Sequence, residues 1–412
     1  MSEQSFIKYA NSFQAVARLG LEGISELMQK LSNPQDSLSF IHVAGTNGKG
    51  SVCCFLQNIL TDAGYRTGKF TSPNMLRVNE RISIDGEDIS DFDMQRLLKK
   101  VEEKAKQMDQ MPTQFEIWTA AAFCYFAEQK CDWVILEVGL GGERDATNII
   151  KSPKISVITK IATDHTEYLG NSIEEIASAK AGIIKSNSIT VTCPQEDAVM
   201  QVISEKAAQK NNALIVTKKV QLHNFNGENE IFDYDGIKNI KLGMLGEHQA
   251  HNAALAIECA KILNIGEKHI RNGLFNAKNM GRLEILSKNP FIIFDGAHNK
   301  NGMCSLSKSL LRYFDGKDIC FIMGFMRDKD IVGAVSELFA SGISKTCEIY
   351  TVAVENNERS ASAQDLAAML SEMNLKAFPQ TSLAQAVKKA SHHEISVICG
   401  SLYLYKDFYE FR

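Results

Sequence analysis

Short apolar runs rich in valine and isoleucine alternate along the chain with longer stretches in which apolar residues recur every three or four positions. The short runs predict buried strands, and the longer period predicts amphipathic helices. One series of predicted strands covers 40–44, 67–71, 133–138, 155–161 and 189–192, and a second covers 291–295, 319–323, 348–352 and 395–399. Strands that alternate with helices are typical of parallel βαβ units, so the pattern predicts an α/β fold with two domains.

A polar, glycine-containing segment separates the two series of strands. Residues 276–282 read NAKNMGR, a composition typical of a linker. We place the boundary there, with residues 1–280 as the N-terminal domain and 281–412 as the C-terminal domain.

The segment GTNGKGS, Gly45–Ser51, lies between a predicted strand and a predicted amphipathic helix. A glycine-rich turn at this place directs backbone N–H groups and the positive end of the helix at an anion. Lys49 adds a positive charge, and Thr46 and Ser51 add hydroxyl groups. The segment therefore favours phosphate binding over a simple helix cap, and we call it the phosphate loop. It departs from the strict pattern G-x-x-x-x-G-K-[ST], because Val43 replaces the first glycine and Gly50 follows the lysine.

Glu137 and Lys180 are charged residues at positions that the apolar pattern predicts to be buried. Glu137 ends the run WVILE, and a buried carboxylate is usually paired or bound to a metal ion. Lys180 lies on the apolar stripe that Ile173 and Ile183 define in SIEEIASAKAGIIK, which reads as one helix. A buried ammonium tends to lose its proton. From the pattern alone, a lysine that extends to an acidic partner is an equal alternative.

Seven segments together resemble one family of enzymes. They extend in order from about residue 40 to residue 404 and read HVAGTNGKGSV, TSPNMLRVNERI, LEVGLGGERDATN, DHTEYLG, AKAGIIK, FDGAHN and CGSLYL. They are similar to the folylpolyglutamate synthase/dihydrofolate synthase family of Mur-type ATP-dependent amide ligases. The resemblance implies a P-loop N-terminal domain with a mostly parallel sheet and a smaller, Rossmann-like C-terminal α/β domain, with the active site between them.

The resemblance also implies the reaction. The γ-phosphate of ATP is transferred to a folate or pteroate carboxylate, and the amine of L-glutamate attacks the resulting acyl phosphate. The implied acceptors are tetrahydrofolate, folylpolyglutamate or dihydropteroate, and the sequence leaves open which of them is used. The family is usually monomeric, and we expect the same here.

The nucleotide contacts that the resemblance implies are Gly45, Thr46, Asn47, Gly48, Lys49, Gly50, Ser51, Asn252, Arg282, Asp295 and His298. Asn252 opens an alanine-rich stretch, so helix capping is its alternative role. Met280 precedes Gly281 and Arg282 where the family usually has proline.

The implied magnesium ligands are Ser72, Glu137 and His165, with a second Mg²⁺ held through a carbamylated Lys180. Imidazole is an unusual ligand for Mg²⁺, and without the resemblance His165 reads as a general base or a loop histidine. On the basis of the resemblance, we assign catalytic roles to Lys49, His165 and Lys180.

The implied pterin and pteroate contacts are Thr113, Phe115, Asp145 and Ala146, although Phe115 reads equally well as a core aromatic residue. Two departures from the family pattern lie close to these residues. Asn74 replaces a common histidine, and Glu143 with Arg144 replaces the usual Arg-Leu. They leave the preference between folate and pteroate open.

Composition narrows the function further. With 45 basic and 49 acidic residues, the chain lacks the excess of positive charge that is typical of nucleic-acid-binding proteins. No apolar run approaches the length of a membrane span. The N-terminus lacks the features of a secretory signal, so we expect a cytoplasmic protein. The ten cysteines have no C-x-x-C spacing, so we expect free thiols.

Three other functions share some of these sequence features. A dinucleotide-dependent dehydrogenase is excluded, because Arg144 occupies the position of the third glycine in the motif G-x-G-x-x-G. Another Mur-type amide ligase and a non-catalytic nucleotide-binding switch remain as alternatives.

Overall fold

The computed structural model describes residues 20–164, 166–225 and 228–411, which divide into two compact units. The first unit comprises the described residues up to Val220, with Tyr234–Ile237 and His251–Ala277. The second comprises Gln221–Asp233, Lys238–Ala250 and the chain from Lys278 onward. Two short segments before residue 280 thus belong to the second unit, and the boundary of the functional domains stays a prediction.

The first unit is built on an eight-stranded sheet in the order β4-β3-β2-β5-β1-β6-β7-β8. The six strands β2, β5, β1, β6, β7 and β8 are each parallel to their neighbours within this group. Strands β3 and β4 complete the sheet, and β3 pairs antiparallel with both β2 and β4. The strands are β1 (Phe40–Ala44), β2 (Thr67–Phe70), β3 (Ile82–Ile84), β4 (Glu87–Asp88), β5 (Trp133–Glu137), β6 (Ile155–Ile158), β7 (Ile189–Thr192) and β8 (Ala213–Val216).

The helices up to residue 276 are α1 (Glu22–Lys30), α2 (Lys49–Asp62), α3 (Asp91–Ala105), α4 (Gln114–Glu128), α5 (Thr166–Leu169), α6 (Ile173–Ala181), α7 (Asp197–Gln209), α8 (Glu247–Ile262) and α9 (Glu267–Asn276). Short 3₁₀ helices cover Pro34–Ser37, Val78–Arg81 and Ala146–Ile149. A small three-stranded sheet joins β9 (Gln221–Leu222), β10 (Glu230–Tyr234) and β11 (Ile237–Leu242) in the order β11-β10-β9.

The second unit has a six-stranded sheet in the order β12-β13-β17-β14-β15-β16, parallel except at β12. Its strands are β12 (Glu284–Lys288), β13 (Phe291–Phe294), β14 (Ile319–Met323), β15 (Glu348–Thr351), β16 (Lys376–Pro379) and β17 (Ile395–Cys399). Its helices are α10 (Lys300–Phe314), α11 (Ile331–Ala340), α12 (Ala363–Glu372), α13 (Leu383–Ala390) and α14 (Leu404–Phe411).

Each unit buries its own apolar side chains. Val134 and Leu136 of β5 belong to a cluster with residues of α1, α3 and α4, and Ile158 of β6 belongs to another with residues of α6 and α7. The second unit has a separate cluster around Phe321 and Val397 of its central strands. The predicted α/β class is thereby confirmed: a large, mostly parallel sheet in one unit and a mixed sheet in the other.

Two sequence-based boundaries were wrong by more than one residue. The helix that begins at Ile173 ends at Ala181, so Ile183 lies outside it, although still buried. A Cβ at Gly182 would lie 2.2 Å from Cβ of Glu143, so only glycine fits at this position, where the helix ends. Strand β6 ends at Ile158 rather than at residue 161.

All ten cysteines are free thiols. No helix among the described residues has both the length and the hydrophobicity that a membrane crossing requires.

Candidate active site

The candidate site lies at one edge of the large sheet. Strands β2, β5, β1 and β6 are consecutive neighbours and run parallel, so their carboxyl ends lie together. Ser72 comes shortly after β2, Glu137 ends β5, the phosphate loop follows β1, and residues 159–164 follow β6. This is the edge at which open α/β sheets bind ligands.

Two glycines of the phosphate loop have backbone conformations that other residues rarely adopt. Gly45 has φ +148° and Gly48 has φ +91°. A Cβ at Gly45 would lie 1.8 Å from Oγ1 of Thr159, and one at Gly48 would lie 2.4 Å from Oδ1 of Asn252. Both positions therefore require glycine, for the backbone angle and for the lack of space.

Residues after β6 support the phosphate loop. The carbonyl oxygen of Lys160 accepts hydrogen bonds from the amides of Thr46 (3.0 Å) and Asn47 (3.2 Å). The Thr46 hydroxyl donates to the Ala162 carbonyl (2.9 Å) and accepts from the Ala162 amide (3.0 Å). Helix α2 begins at Lys49, and the amides of its first turn have no partner within the helix. These amides are the ones that an anion would meet.

Lys49 and Lys180 converge on the same backbone carbonyl. Their ammonium groups each donate to the Gly45 oxygen at 3.1 Å, and Lys49 also donates to the Thr46 carbonyl. Lys180 is buried, as its position on the apolar stripe predicted. Burial and, secondly, the charge of Lys49 lower the pKa of Lys180 to about 7. A substantial fraction of this amine is therefore neutral near pH 7.

Glu137 is buried at the end of β5, as predicted. One of its carboxylate oxygens accepts a hydrogen bond from the Ser72 amide at 3.1 Å, which joins the ends of β5 and β2. Burial, followed by the charge of Glu137, raises the pKa of the Cys53 thiol in α2. Cys53 is therefore a packing residue and not an activated nucleophile.

Asn252 does not cap a helix, contrary to the alternative raised above. Helix α8 begins at Glu247, so Asn252 lies in its second turn, where its side chain approaches Gly48. His165, the third predicted magnesium ligand, lies outside the described residues. The neighbouring Asp164 raises the pKa of Lys180, which places its charge near the amine.

Thr113 and Phe115 both have structural partners. The Thr113 hydroxyl accepts a hydrogen bond from the Glu116 amide (3.3 Å), and the Glu116 carboxylate accepts one from the Thr113 amide (2.6 Å), which caps α4. The Phe115 ring lies 5.8 Å from that of Phe70, and a Cβ at Gly139 would lie 2.5 Å from its edge. Phe115 is partly buried and packs on the core, which agrees with its alternative reading.

Asp145 organises the loop that follows β5. Its carboxylate is buried and accepts hydrogen bonds from the Leu140 amide (2.8 Å) and from the amide (3.0 Å) and hydroxyl (2.5 Å) of Thr147. Burial raises the pKa of Asp145, and these hydrogen bonds oppose the rise. The Thr147 hydroxyl also lies 2.9 Å from Nε2 of His42. Ala146 is buried in the 3₁₀ helix that Asp145 caps.

The second unit carries the other predicted nucleotide contacts in one cluster. Asp295 is buried, and its carboxylate accepts from the amides of Leu283 (2.9 Å) and Ala297 (2.8 Å). Burial raises the pKa of Asp295, and the Arg282 guanidinium opposes this rise. A Cβ at Gly296 would lie 3.5 Å from Nη1 of Arg282, and Nδ1 of His298 lies 2.8 Å from the Gly296 carbonyl oxygen.

The sequence reasoning missed the supporting contacts of Thr159, Lys160 and Ala162. Thr159 and Lys160 lay within the run 155–161 that was predicted as a strand, which hid their position after β6, and only Ala162 followed that run. The contacts of Lys160 involve its backbone carbonyl, which no side-chain pattern could indicate.

Comparisons with known proteins agree with this architecture. Residues 43–260 match the Mur ligase middle domain, and residues 281–402 match the Mur ligase glutamate ligase domain. The dihydrofolate synthase/folylpolyglutamate synthase of Bacillus subtilis is 36% identical over 411 residues, 94% of each chain. The folylpolyglutamate synthase of Lacticaseibacillus casei is 34% identical, over 98% of this chain and 97% of its own.

A solved structure extends the match to three dimensions. The Mycobacterium tuberculosis folylpolyglutamate synthase complexed with ADP and AMPPCP superposes with a TM-score of 0.90 at 29% identity, covering 100% of this chain and 99% of that one. Similarity of this extent, in sequence and in both units of the fold, establishes that the chain belongs to the dihydrofolate synthase/folylpolyglutamate synthase family of ligases.

Proposed function

We propose that this enzyme uses ATP to join L-glutamate to the carboxylate of a folate, and that it acts through an acyl phosphate. Family membership supports the reaction class, and one feature of the site carries the proposal. Lys49, Lys180 and Glu137 lie around a phosphate loop at the carboxyl ends of neighbouring strands. A protein that only bound nucleotide would have no need for a second lysine, buried at the loop, in addition to Lys49.

The phosphate loop fits the polyphosphate of ATP. The first turn of α2 offers backbone N–H groups, and Lys49 offers a charge at the same place. Asn252, which approaches Gly48, would contact the adenine side. The family resemblance assigns further nucleotide contacts to Arg282, Asp295 and His298.

The chemistry of the donors also fits Mg²⁺. Glu137 is a buried carboxylate that accepts the Ser72 amide hydrogen bond, and the Ser72 hydroxyl adds a second oxygen donor. With His165, these residues would hold the first ion. A bound Mg²⁺ would offset the negative charge of the phosphates.

The reaction requires little covalent participation from the protein. The folate carboxylate attacks the γ-phosphorus, ADP leaves, and the glutamate amine then displaces phosphate from the acyl carbon. Lys49 stabilises charge on the transferring phosphoryl group, and the first-turn amides of α2 orient it. Thr113, Phe115, Asp145 and Ala146 would line the pterin and pteroate side, in addition to their packing and capping roles.

We propose that Lys180 is carbamylated in the active enzyme. The neutral amine attacks CO₂, a C–N bond forms, and one proton is released, which leaves an anionic carbamate on Nζ. The pKa of about 7 supplies the neutral amine. The carbamate would also replace the repulsion between the two ammonium groups of Lys49 and Lys180 by an attraction between its own negative charge and Lys49. Its oxygens would hold the second Mg²⁺, which offsets the cost of a buried anion.

The acceptor is tested by incorporation of isotope-labelled glutamate, followed by mass spectrometry of the products. The enzyme is incubated separately with dihydropteroate and tetrahydrofolate in the presence of ATP. A product one glutamate residue heavier from either acceptor supports the ligase, and the pattern of acceptors decides between one activity and two. Absence of such a product from both acceptors would refute the proposed function.

The carbamate is tested independently with ¹³C-labelled bicarbonate and nuclear magnetic resonance. We expect a protein-bound carbamate signal that disappears in Lys180→Ala and persists in Lys206→Ala, whose lysine lies on α7. If Lys180→Ala kept near-wild-type turnover, and bicarbonate did not raise the activity of CO₂-depleted enzyme, the carbamylation proposal would fail.

A further inference from the structure

Two histidines and a glutamate meet at the amino ends of neighbouring strands in the second unit. Glu348 is the first residue of β15, and His392 with His393 lies between α13 and β17. One ligand atom from each of these three residues lies within 4.8 Å of the others. We call Glu348, His392 and His393 the histidine cluster.

The distances within the histidine cluster are close to those of a tetrahedral metal site. Nε2 of His393 lies 3.4 Å from Oε2 of Glu348, and Nε2 of His392 lies 4.0 Å from the same oxygen. Zinc bonds to nitrogen and oxygen are about 2.0–2.2 Å long, so two ligand atoms in a tetrahedron lie about 3.3–3.6 Å apart. The pair His393–Glu348 meets this spacing, and His392 needs only a small movement.

His393 is held by a second carboxylate on its other nitrogen. Nδ1 lies 2.8 Å from Oδ2 of Asp318, the residue before β14. A histidine that binds a metal ion typically donates its other N–H to a carboxylate, which fixes the tautomer and orients the ring. With the proton on Nδ1, the lone pair of Nε2 faces the Glu348 carboxylate, where a metal ion would take the place of the proton that joins the two groups in a doubly protonated ring.

The surroundings fix the histidine cluster but leave it open to solvent. The Glu394 carboxylate accepts from Lys317 (2.8 Å) and from the Asp318 amide (2.9 Å), which holds the turn in place. The His393 side chain is 9% exposed, whereas that of His392 is 63% exposed. One face of the histidine cluster can therefore accept an ion and a water ligand from solution.

We propose that the histidine cluster binds a divalent transition-metal ion, with Zn²⁺ as the best match. His392, His393 and Glu348 supply three ligands, and water completes the coordination. Because β14, β15 and β17 are parallel neighbours of one sheet, the ion would join the amino ends of all three strands. Asp295 follows the carboxyl end of β13 in the same sheet, so the ion would stabilise the unit without touching the predicted nucleotide contacts. The proposal does not depend on the ligase activity.

The test is Zn²⁺ binding to the full, untagged chain by equilibrium dialysis, with Mg²⁺ in excess to occupy sites built from oxygen ligands. We expect His392→Ala and His393→Ala each to weaken one equivalent of Zn²⁺ binding by at least about 10-fold. His269→Ala is the matched control, because it removes an imidazole that is paired with a single carboxylate, Asp62, at 2.7 Å. It should leave the affinity unchanged.

Co²⁺ absorption and thermal unfolding provide two further measurements. The proposal predicts a visible spectrum of nitrogen and oxygen coordination that is lost in His392→Ala, without the charge-transfer band of a cysteine thiolate. It also predicts that Zn²⁺ raises the unfolding temperature of the wild type more than that of this variant. Because most of the His392 side chain lies in solvent, the substitution preserves the fold. Equal Zn²⁺ affinity in all three variants, or no binding at about 1 mM Zn²⁺, would overturn the proposal.

Discussion

At the scale of single residues, two lysines and one carboxylate determine the electrostatics of the site. Lys49 and Lys180 share the Gly45 carbonyl, so two positive charges are held close together at one phosphate loop. Burial, and after it the charge of Lys49, makes the charged form of Lys180 costly, and the pKa of Lys180 falls to about 7. The arrangement favours a phosphate or a carbamate, since either places a negative charge beside Lys49.

The depressed pKa of Lys180 makes a prediction about stability. The unfolded chain holds this proton up to the ordinary value of 10.5, whereas the folded amine loses it near pH 7. The unfolded state therefore binds more protons between these values, so the free energy of unfolding rises with pH there. Lys180→Met abolishes this dependence. In CO₂-depleted buffer, we expect the variant to gain at least about 5 °C in unfolding temperature over the wild type at pH 6, and to lose much of that gain by pH 9.

Calorimetry at the two pH values measures this effect. The variant also loses the hydrogen bond to Gly45, and this loss contributes equally at pH 6 and pH 9. The change with pH in the difference between the two unfolding temperatures therefore reports the titration of Lys180 alone. A temperature difference that does not vary with pH would show that Lys180 keeps an ordinary pKa.

A second prediction at this scale concerns the charge of Glu137. Glu137→Gln keeps an oxygen that can accept the Ser72 amide hydrogen bond but removes the negative charge. We expect kcat to fall by at least about 100-fold with little change in unfolding temperature. Glu258→Gln is the control, because Glu258 accepts from the Tyr234 hydroxyl away from the phosphate loop. Steady-state kinetics across Mg²⁺ concentrations measures the effect, and equal activity of both variants would remove Glu137 from the proposed metal site.

At the scale of elements, the glycines of the phosphate loop connect β1, α2 and α8. Gly48 precedes α2 with a positive φ, and the Asn252 amide of α8 occupies the space where a side chain would lie. The loop geometry therefore depends on a helix that is about 200 residues distant in the sequence. This dependence explains why a local glycine pattern indicates the loop but not its partners.

Gly48→Ala should weaken nucleotide binding, whereas Gly64→Ala should not. Both residues have a positive φ, so each substitution costs about 1 kcal/mol of backbone strain. Only at Gly48 does the new methyl group collide, because nothing lies within 4 Å of the corresponding position at Gly64. We expect the Kd for ADP to rise at least about 10-fold in Gly48→Ala alone. Isothermal titration calorimetry measures both variants, and an equal Kd would show that the contact with Asn252 does not shape the site.

The sequence predicted the central strands of the two large sheets well and the outer ones poorly. The bounds of β1, β7, β14 and β17 agree with the apolar runs, because fully buried strands of a parallel sheet are continuously apolar. Strands β8 and β16 are outermost in their sheets and contain no buried residue, so they lacked this signal. The role of Asn252 as a cap was misjudged because α8 begins five residues earlier, at Glu247.

At the scale of the whole molecule, the chain consists of two units with separate cores, each with its own set of proposed nucleotide contacts. The period of the apolar residues was enough to find Glu137 and Lys180, because a charge at a buried position is conspicuous. The roles of Arg282, Asp295 and His298 came only from the family resemblance, since the position of Asp295 at the end of a buried strand does not by itself indicate a nucleotide contact. The acceptor and the oligomeric state stay predictions for the same reason.

The central claim is that ATP turnover in this protein serves glutamate ligation to a pteridine carboxylate. The most direct measurement is coupled ADP release, with L-glutamate and the acceptor omitted in turn. We predict that ADP release requires both substrates and equals the glutamate incorporated, mole for mole. ADP binding without any release that depends on glutamate and acceptor, for dihydropteroate and for tetrahydrofolate alike, would contradict the account and favour a nucleotide-binding switch.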